Sequence, residues 1–124
     1  MEVIPLGSGA RQMVEAYRPG GFRVAGRDVQ GSVLVFAERT LPWPVSDPAA
    51  LSETVLAPVI DADPPVDVVL IGCGERMVQL PTSLTARLRA AGIGADSMST
   101  AAACRTYNVL VSEGRGVAAA LIAL

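Results

Sequence analysis

Between Gly92 and the C-terminus the apolar residues change their period twice, and this alternation limits the fold more than any other feature of the chain. Gly94 to Met98 has the length of a short strand. From Ser99 or Thr100 to Gly114, the residues Ala103, Cys104, Tyr107, Leu110 and Val111 recur at helical spacing and fall on one face. Arg105, Asn108 and Ser112 fall on the opposite face. Val117 to Leu124 is then an unbroken run of eight apolar residues, the pattern of a buried strand. Strand, helix, strand predicts α/β layers in which this helix packs one face and displays the other.

The preceding segment extends the rhythm. Val66 to Ile71 reads as a central strand interrupted at Asp67, ending in Gly72-Cys73-Gly74. A helix is predicted from near Thr82, burying Leu84, Leu88 and Ala91, showing Arg87 and Arg89, and stopping at Gly92. The right-handed crossover rule makes the strands at 66–71 and 94–98 parallel neighbours or near neighbours. The turn Glu113-Gly114-Arg115-Gly116 is too short to settle the direction of the last strand.

The N-terminal half reads differently. Residues 1–11 form a loose segment, and 12–124 a single domain. Gln12 to Tyr17 is a strand, Pro19-Gly20-Gly21 a turn, Phe22-Arg23-Val24 a second strand, and Gly26-Arg27-Asp28 a second turn. Ser32 to Ala37 returns as a third strand, completing an antiparallel meander with Gly31 as a bulge. In Leu41-Pro42-Trp43-Pro44 the two prolines argue against regular pairing, and Trp43 on that loop plugs the core edge or serves a partner, the plug being favoured. Asp47 caps a helix with Pro48 in its first turn and Leu51, Val55 and Val59 at helical spacing, which Pro58 limits. Asp61, Asp63 and Asp67 read as a solvated loop rather than a cation site.

Composition narrows the chemistry. At 124 residues, 51% of them hydrophobic and 18% charged, the chain suits one well-packed domain whose weakly charged surface a partner could cover. The longest apolar run is far too short to span a bilayer, and the start lacks a secretory or transit pattern, so a soluble, cytoplasmic protein is expected. All ten basic residues are arginine, and histidine and lysine are absent. That excludes a Ser-His-Asp or Cys-His nucleophile, a Schiff-base lysine and a phosphate-loop lysine within the chain. No catalytic residue, metal or cofactor is expected. A net charge of −2 with scattered arginines offers no basic stripe for nucleic acid. Cys73 and Cys104 are expected to be free, buried thiols; a reactive Cys73 would need Arg76 as its cation.

Two candidate sites follow. Gly72, Gly74, Arg76, Ser99 and Thr100 meet at the carboxyl edge of the parallel strands, where a shallow groove for an anion or carboxylate would form beside a helix start. Gly72-Cys73-Gly74 lacks the third glycine of a dinucleotide-binding turn, since position 77 is Met. Arg105, Asn108 and Ser112 form the second candidate, either structural, with Asn108 holding a loop backbone and Arg105 paired to a carboxylate, or a recognition patch.

Several stretches together carry a resemblance: Gly20-Gly21-Phe22-Arg23, Gly31-Ser32-Val33-Leu34-Val35, Gly92-Ile93-Gly94, Met98, Thr100-Ala101-Ala102, Arg105-Thr106-Tyr107-Asn108-Val109-Leu110, Glu113-Gly114-Arg115 and Val117-Ala118-Ala119-Ala120-Leu121. In order and spacing they resemble the small uncharacterised domains related to mitochondrial NADH dehydrogenase (complex I) assembly factor 3, the DUF498-type family with the Mth938-like fold. The resemblance implies a three-layer α/β domain with a central mixed sheet of about five strands. It also implies a non-catalytic accessory or assembly role with a protein partner at a respiratory or membrane-associated complex. The alternative from the residues is a small-molecule or anion-binding module at Gly72–Gly74. An exposed edge strand would permit a homodimer.

Overall fold

In a computed structural model, residues 11–124 are described, so the expected loose segment falls outside them except for Arg11. The elements run β1 (Val14–Arg18), β2 (Gly21–Val24), β3 (Arg27–Gln30), β4 (Val33–Phe36), β5 (Thr40–Pro42), α1 (Ala57–Ile60), β6 (Val68–Gly72), α2 (Thr82–Ala90), β7 (Gly94–Met98), α3 (Thr100–Ser112) and β8 (Val117–Leu121). Five strands form a mixed sheet in the order β5-β4-β8-β6-β7, and β1-β2-β3 form a separate antiparallel sheet. β6 pairs in parallel with both β7 and β8, while β4 pairs antiparallel with β8 and β5.

The main sheet is the middle of three layers. Its Leu34, Phe36, Val69, Ile71, Ala118 and Ala120 face a core shared with Trp43, Leu56, Leu84 and Leu88. Val33, Val35, Leu70, Ala119 and Leu121, on the other side, meet Ala103, Cys104, Tyr107 and Val111 of α3 and Val14, Phe22 and Val24 of the small sheet. β8 is buried along its whole length, and its three alanines let the flanking layers approach closely.

Several expectations need correction. The turn lies one residue earlier than expected, at Ala25-Gly26, where both residues have positive φ (51° and 81°) as a two-residue hairpin requires. Arg27 and Asp28 are therefore strand residues. The returning strand β4 does not continue the meander: at Gly31 (φ 81°) the chain leaves the small sheet, and β4 joins the main one. Pro42 does not prevent pairing, because β5 lies at the sheet edge, where proline is tolerated; its partner in β4 is Val33. Trp43 is the core plug, 4% exposed, with its indole N–H donating to the Val55 carbonyl at 2.8 Å. The helix expected after Asp47 is only a 3-10 turn, Pro48–Ala50, still capped by the Asp47 carboxylate on the Ala49 N–H at 2.9 Å. The chain extends again at Leu51, and Pro58 lies in the first turn of the separate helix α1 rather than ending one. On α2, Ala91 is exposed, and Ile93 just beyond it takes the buried position. Gly92 (φ 81°) terminates α2, with the Ile93 N–H reaching back to the Leu88 carbonyl at 2.9 Å.

The small sheet is held to α3 by polar contacts as well as by apolar packing. Asn108 Oδ1 accepts from the Val14 N–H at 2.9 Å while its Nδ2 donates to the Val14 carbonyl at 2.8 Å. The side-chain amide thus pairs with β1 as a neighbouring strand would. Beside it, the buried Tyr107 hydroxyl donates to the Gln12 carbonyl at 2.8 Å.

Asn108→Ala leaves both Val14 groups short of a partner, and urea unfolding should show a loss of about 1–3 kcal/mol. A second outcome concerns pH. Burial pushes the Cys104 thiol from 9.0 up to about 12. Burial, and then Glu38, also raises the Tyr107 phenol above its ordinary 10.0. Both groups keep their protons in the fold where the unfolded chain loses them. Stability is therefore full below pH 9.0 and falls as pH rises toward 12. Urea midpoints measured across that range should decline, and less steeply for Cys104→Ala.

Candidate functional site

The strand-end residues do come together. β6 ends at Gly72 just where α3 begins at Thr100, on the carboxyl edge of the parallel pair. Thr100 is fully buried; its hydroxyl donates to the Ile122 carbonyl at 2.7 Å and accepts from the Gly74 N–H at 2.9 Å. Its own N–H donates to the Gly74 carbonyl at 2.8 Å. The Ile122 N–H in turn donates to the Gly72 carbonyl, and the Cys73 N–H to the Met98 carbonyl, both at 2.9 Å. Ser99 caps α3, its hydroxyl accepting from the Ala102 N–H at 3.2 Å. A Cβ on Gly72 would lie 2.8 Å from Thr100 Cα, so the close approach of α3 to β6 requires glycine there. Gly74, at φ 97°, turns the chain away.

These contacts change what the cluster offers. The N–H groups of Gly74, Thr100 and Ala102, which would receive an anion, are bonded within the protein. Arg76 stands exposed outside the network. Cys73 is 4% exposed, with its sulfur 3.7 Å from the Ile71 carbonyl and 4.0 Å from that of Val78. It lies in the core between the sheet and α2.

The second candidate divides. Asn108 does not belong to the displayed face, because it turns inward onto Val14. Ser112 is exposed, and its hydroxyl donates to the Val109 carbonyl at 2.8 Å within its own helix. Arg105 is exposed, and among the described residues no carboxylate lies within ion-pair reach of it. Between them Val109 is 55% exposed, a large aliphatic side chain that sequence reasoning did not single out. Its signal was its place four residues after Arg105, on the same helical stripe.

Sequence reasoning also missed a groove of about 760 Å³ between β3 and β5, bordered by Arg27 and Arg39. By its place after Gly26, Arg27 reads as a turn residue, and nothing in the local pattern marks Arg39, whose guanidinium stacks 4.2 Å from the Phe36 ring centroid. No helix among the described residues is long and apolar enough to cross a membrane.

Residues 14–122 match the family described as a protein of unknown function (DUF498/DUF598). An uncharacterised protein of Rhodobacter capsulatus is 41% identical over 109 residues, 88% of this chain and 82% of that one. NADH dehydrogenase [ubiquinone] 1 alpha subcomplex assembly factor 3 of Danio rerio is 33% identical over 113 residues, 91% of this chain. The chain spans 65% of that relative's length. Among solved structures, one described as an outer membrane protein from Bartonella henselae superposes with a TM-score of 0.85 at 35% identity, covering 92% of this chain and 96% of that one. A Bordetella pertussis protein described as a Mth938-like domain gives 0.81 at 26% identity, covering 98% and 90%. The fold is therefore Mth938-like, with the five-stranded mixed sheet that the resemblance implied. A family match across residues 14–122 and a bacterial relative 41% identical make this chain a member of the DUF498/DUF598 family of proteins of unknown function.

Proposed function

We propose that the chain is a non-catalytic protein-interaction domain, an accessory or assembly factor acting from the cytoplasm on a respiratory, complex I-like or other membrane-associated complex. The observation that carries this reading is the closure of the strand-end cluster: Thr100 ties its hydroxyl and N–H to Gly74 and Ile122, at the edge where α/β sheets collect ligands. Support comes from the zebrafish relative named as an assembly factor, aligned over 91% of this chain. The contact surface proposed is the outer stripe of α3, Arg105, Val109 and Ser112. An arginine beside an exposed aliphatic side chain suits an interface anchor, because guanidinium and methyl groups both bury well against a partner.

Affinity capture of the tagged chain from native-cell membranes, after cross-linking, tests the proposal. Subunits of a respiratory complex should be recovered in stoichiometric amount, and Val109→Asp or Arg105→Glu should cut that recovery by about tenfold. Thr100→Val should behave differently. It strips a partner from the Gly74 N–H and the Ile122 carbonyl, lowering stability by about 1–3 kcal/mol while leaving capture intact below its melting temperature. Empty capture, combined with a melting shift on adding phosphate or simple carboxylates, would favour the anion-binding module around Gly74 and Arg76 instead.

A further inference from the structure

The mouth between the two sheets has a chemistry of its own. Val29 projects from β3 on the same side as its cross-strand partner, the fully buried Phe22, and with Met13 and Pro42 it gives the groove an apolar floor. Arg27 and Arg11 stand around this floor, while the Arg39 guanidinium lies over the Phe36 ring, on the other face of the main sheet. Two carboxylates share the groove. Glu15 is engaged by Arg23 at 3.4 Å and by the Gly26 N–H at 2.9 Å, so its charge is already answered. Glu38 is left against the guanidiniums of Arg11 and Arg27. In a chain of net charge −2 this is a local reversal of sign. The groove is also flanked by edge strands, β3 of the small sheet and β5 of the main one.

From this arrangement we propose that the groove between β3 and β5 receives an extended, acidic segment of a partner protein, with aliphatic side chains on Val29 and Pro42 and carboxylates on Arg27 and Arg11. The inference rests on the interaction-domain reading and adds a second contact surface to it. An extended segment suits the site because alternate side chains point to opposite sides, one set to the floor and the other to the rim. Carboxylates suit it because a planar guanidinium binds them with two parallel hydrogen bonds.

Selection of displayed random peptides on the purified full-length chain tests this directly. Enriched sequences should alternate Asp or Glu with aliphatic residues. A synthetic peptide of that pattern should shift the backbone amides of Arg27, Val29, Arg39 and Thr40, with affinity falling as salt is added. Arg27→Glu changes an exposed side chain, so the fold should persist, and it should weaken the peptide by about tenfold. Arg11→Gln, checked for an unchanged melting profile, should do the same. Enrichment of neutral or basic peptides, or equal binding by the Arg27→Glu variant, would overturn the proposal. So would equal shifts with free glutamate, a groove signal that depends on protein concentration as for a second copy, or contacts from residues 1–10 to Val29 in the free chain. If membrane capture succeeds and Arg27→Glu leaves it intact, this inference falls while the interaction-domain reading stands.

Discussion

The joint between Gly72 and Thr100 is the contact on which the rest of the structure depends. It lets the start of α3 lie directly on the end of β6, because no side chain intervenes at Gly72. Thr100 then bonds simultaneously to the turn after β6 and to the residue following β8, so one buried hydroxyl ties a helix to two parallel strands. Each of these backbone groups would otherwise be stranded away from water at a cost comparable to a whole hydrogen bond. The direction of α3 across the sheet is thereby set at its first residue.

From that joint the rest of the architecture follows in sequence. α3, fixed at its N-terminus, lays Ala103, Cys104, Tyr107 and Val111 on the sheet. Two turns along, Tyr107 and Asn108 reach the backbone of Gln12 and Val14, and so bring in a sheet that shares no strand with the main one. The Ser32 hydroxyl, which accepts from the Ala123 N–H at 2.9 Å, fastens the crossing between the two sheets to the end of β8. Of the polar residues that helical spacing leaves outside the apolar stripe of α3, Asn108 is thus spent on assembly. What is left for the surface is the stripe of Arg105, Val109 and Ser112 and the arginine-rimmed mouth between the sheets.

Legibility of the candidate site was uneven for the same reason. Gly72, Gly74, Ser99 and Thr100 could be grouped from the chain, since strand ends and helix starts in α/β layers meet at one edge. Whether their N–H groups were free could not be read, because the acceptors, the Thr100 hydroxyl for Gly74 and the Gly74 carbonyl for Thr100, come from segments 26 positions apart. Asn108 falls on the outer face by spacing alone, and of its two alternatives the backbone bond is the one present, made to strand β1 rather than to a loop. The groove lined by Arg27 and Arg11 gave no signal, since it depends on how two separate sheets face each other.

The order of β6, α2, β7, α3 and β8 was legible because β6, α2, α3 and β8 each carry an apolar period, Gly92 and Gly114 are local stops, and β7 fits the short stretch left between two helices, all properties of neighbouring residues. The parallel pairing of β6 with β7 followed from chain handedness. The N-terminal half was harder: a four-residue strand such as Arg27–Gln30 has too few positions for alternation to show, and an edge position lets Thr40–Pro42 pair despite its proline. Sequence by itself therefore determined the layers and the absence of histidine and lysine chemistry. Tertiary structure decided which polar groups are spent, which arginines meet, and where one sheet ends and the other begins, because those outcomes rest on contacts between residues up to 95 positions apart.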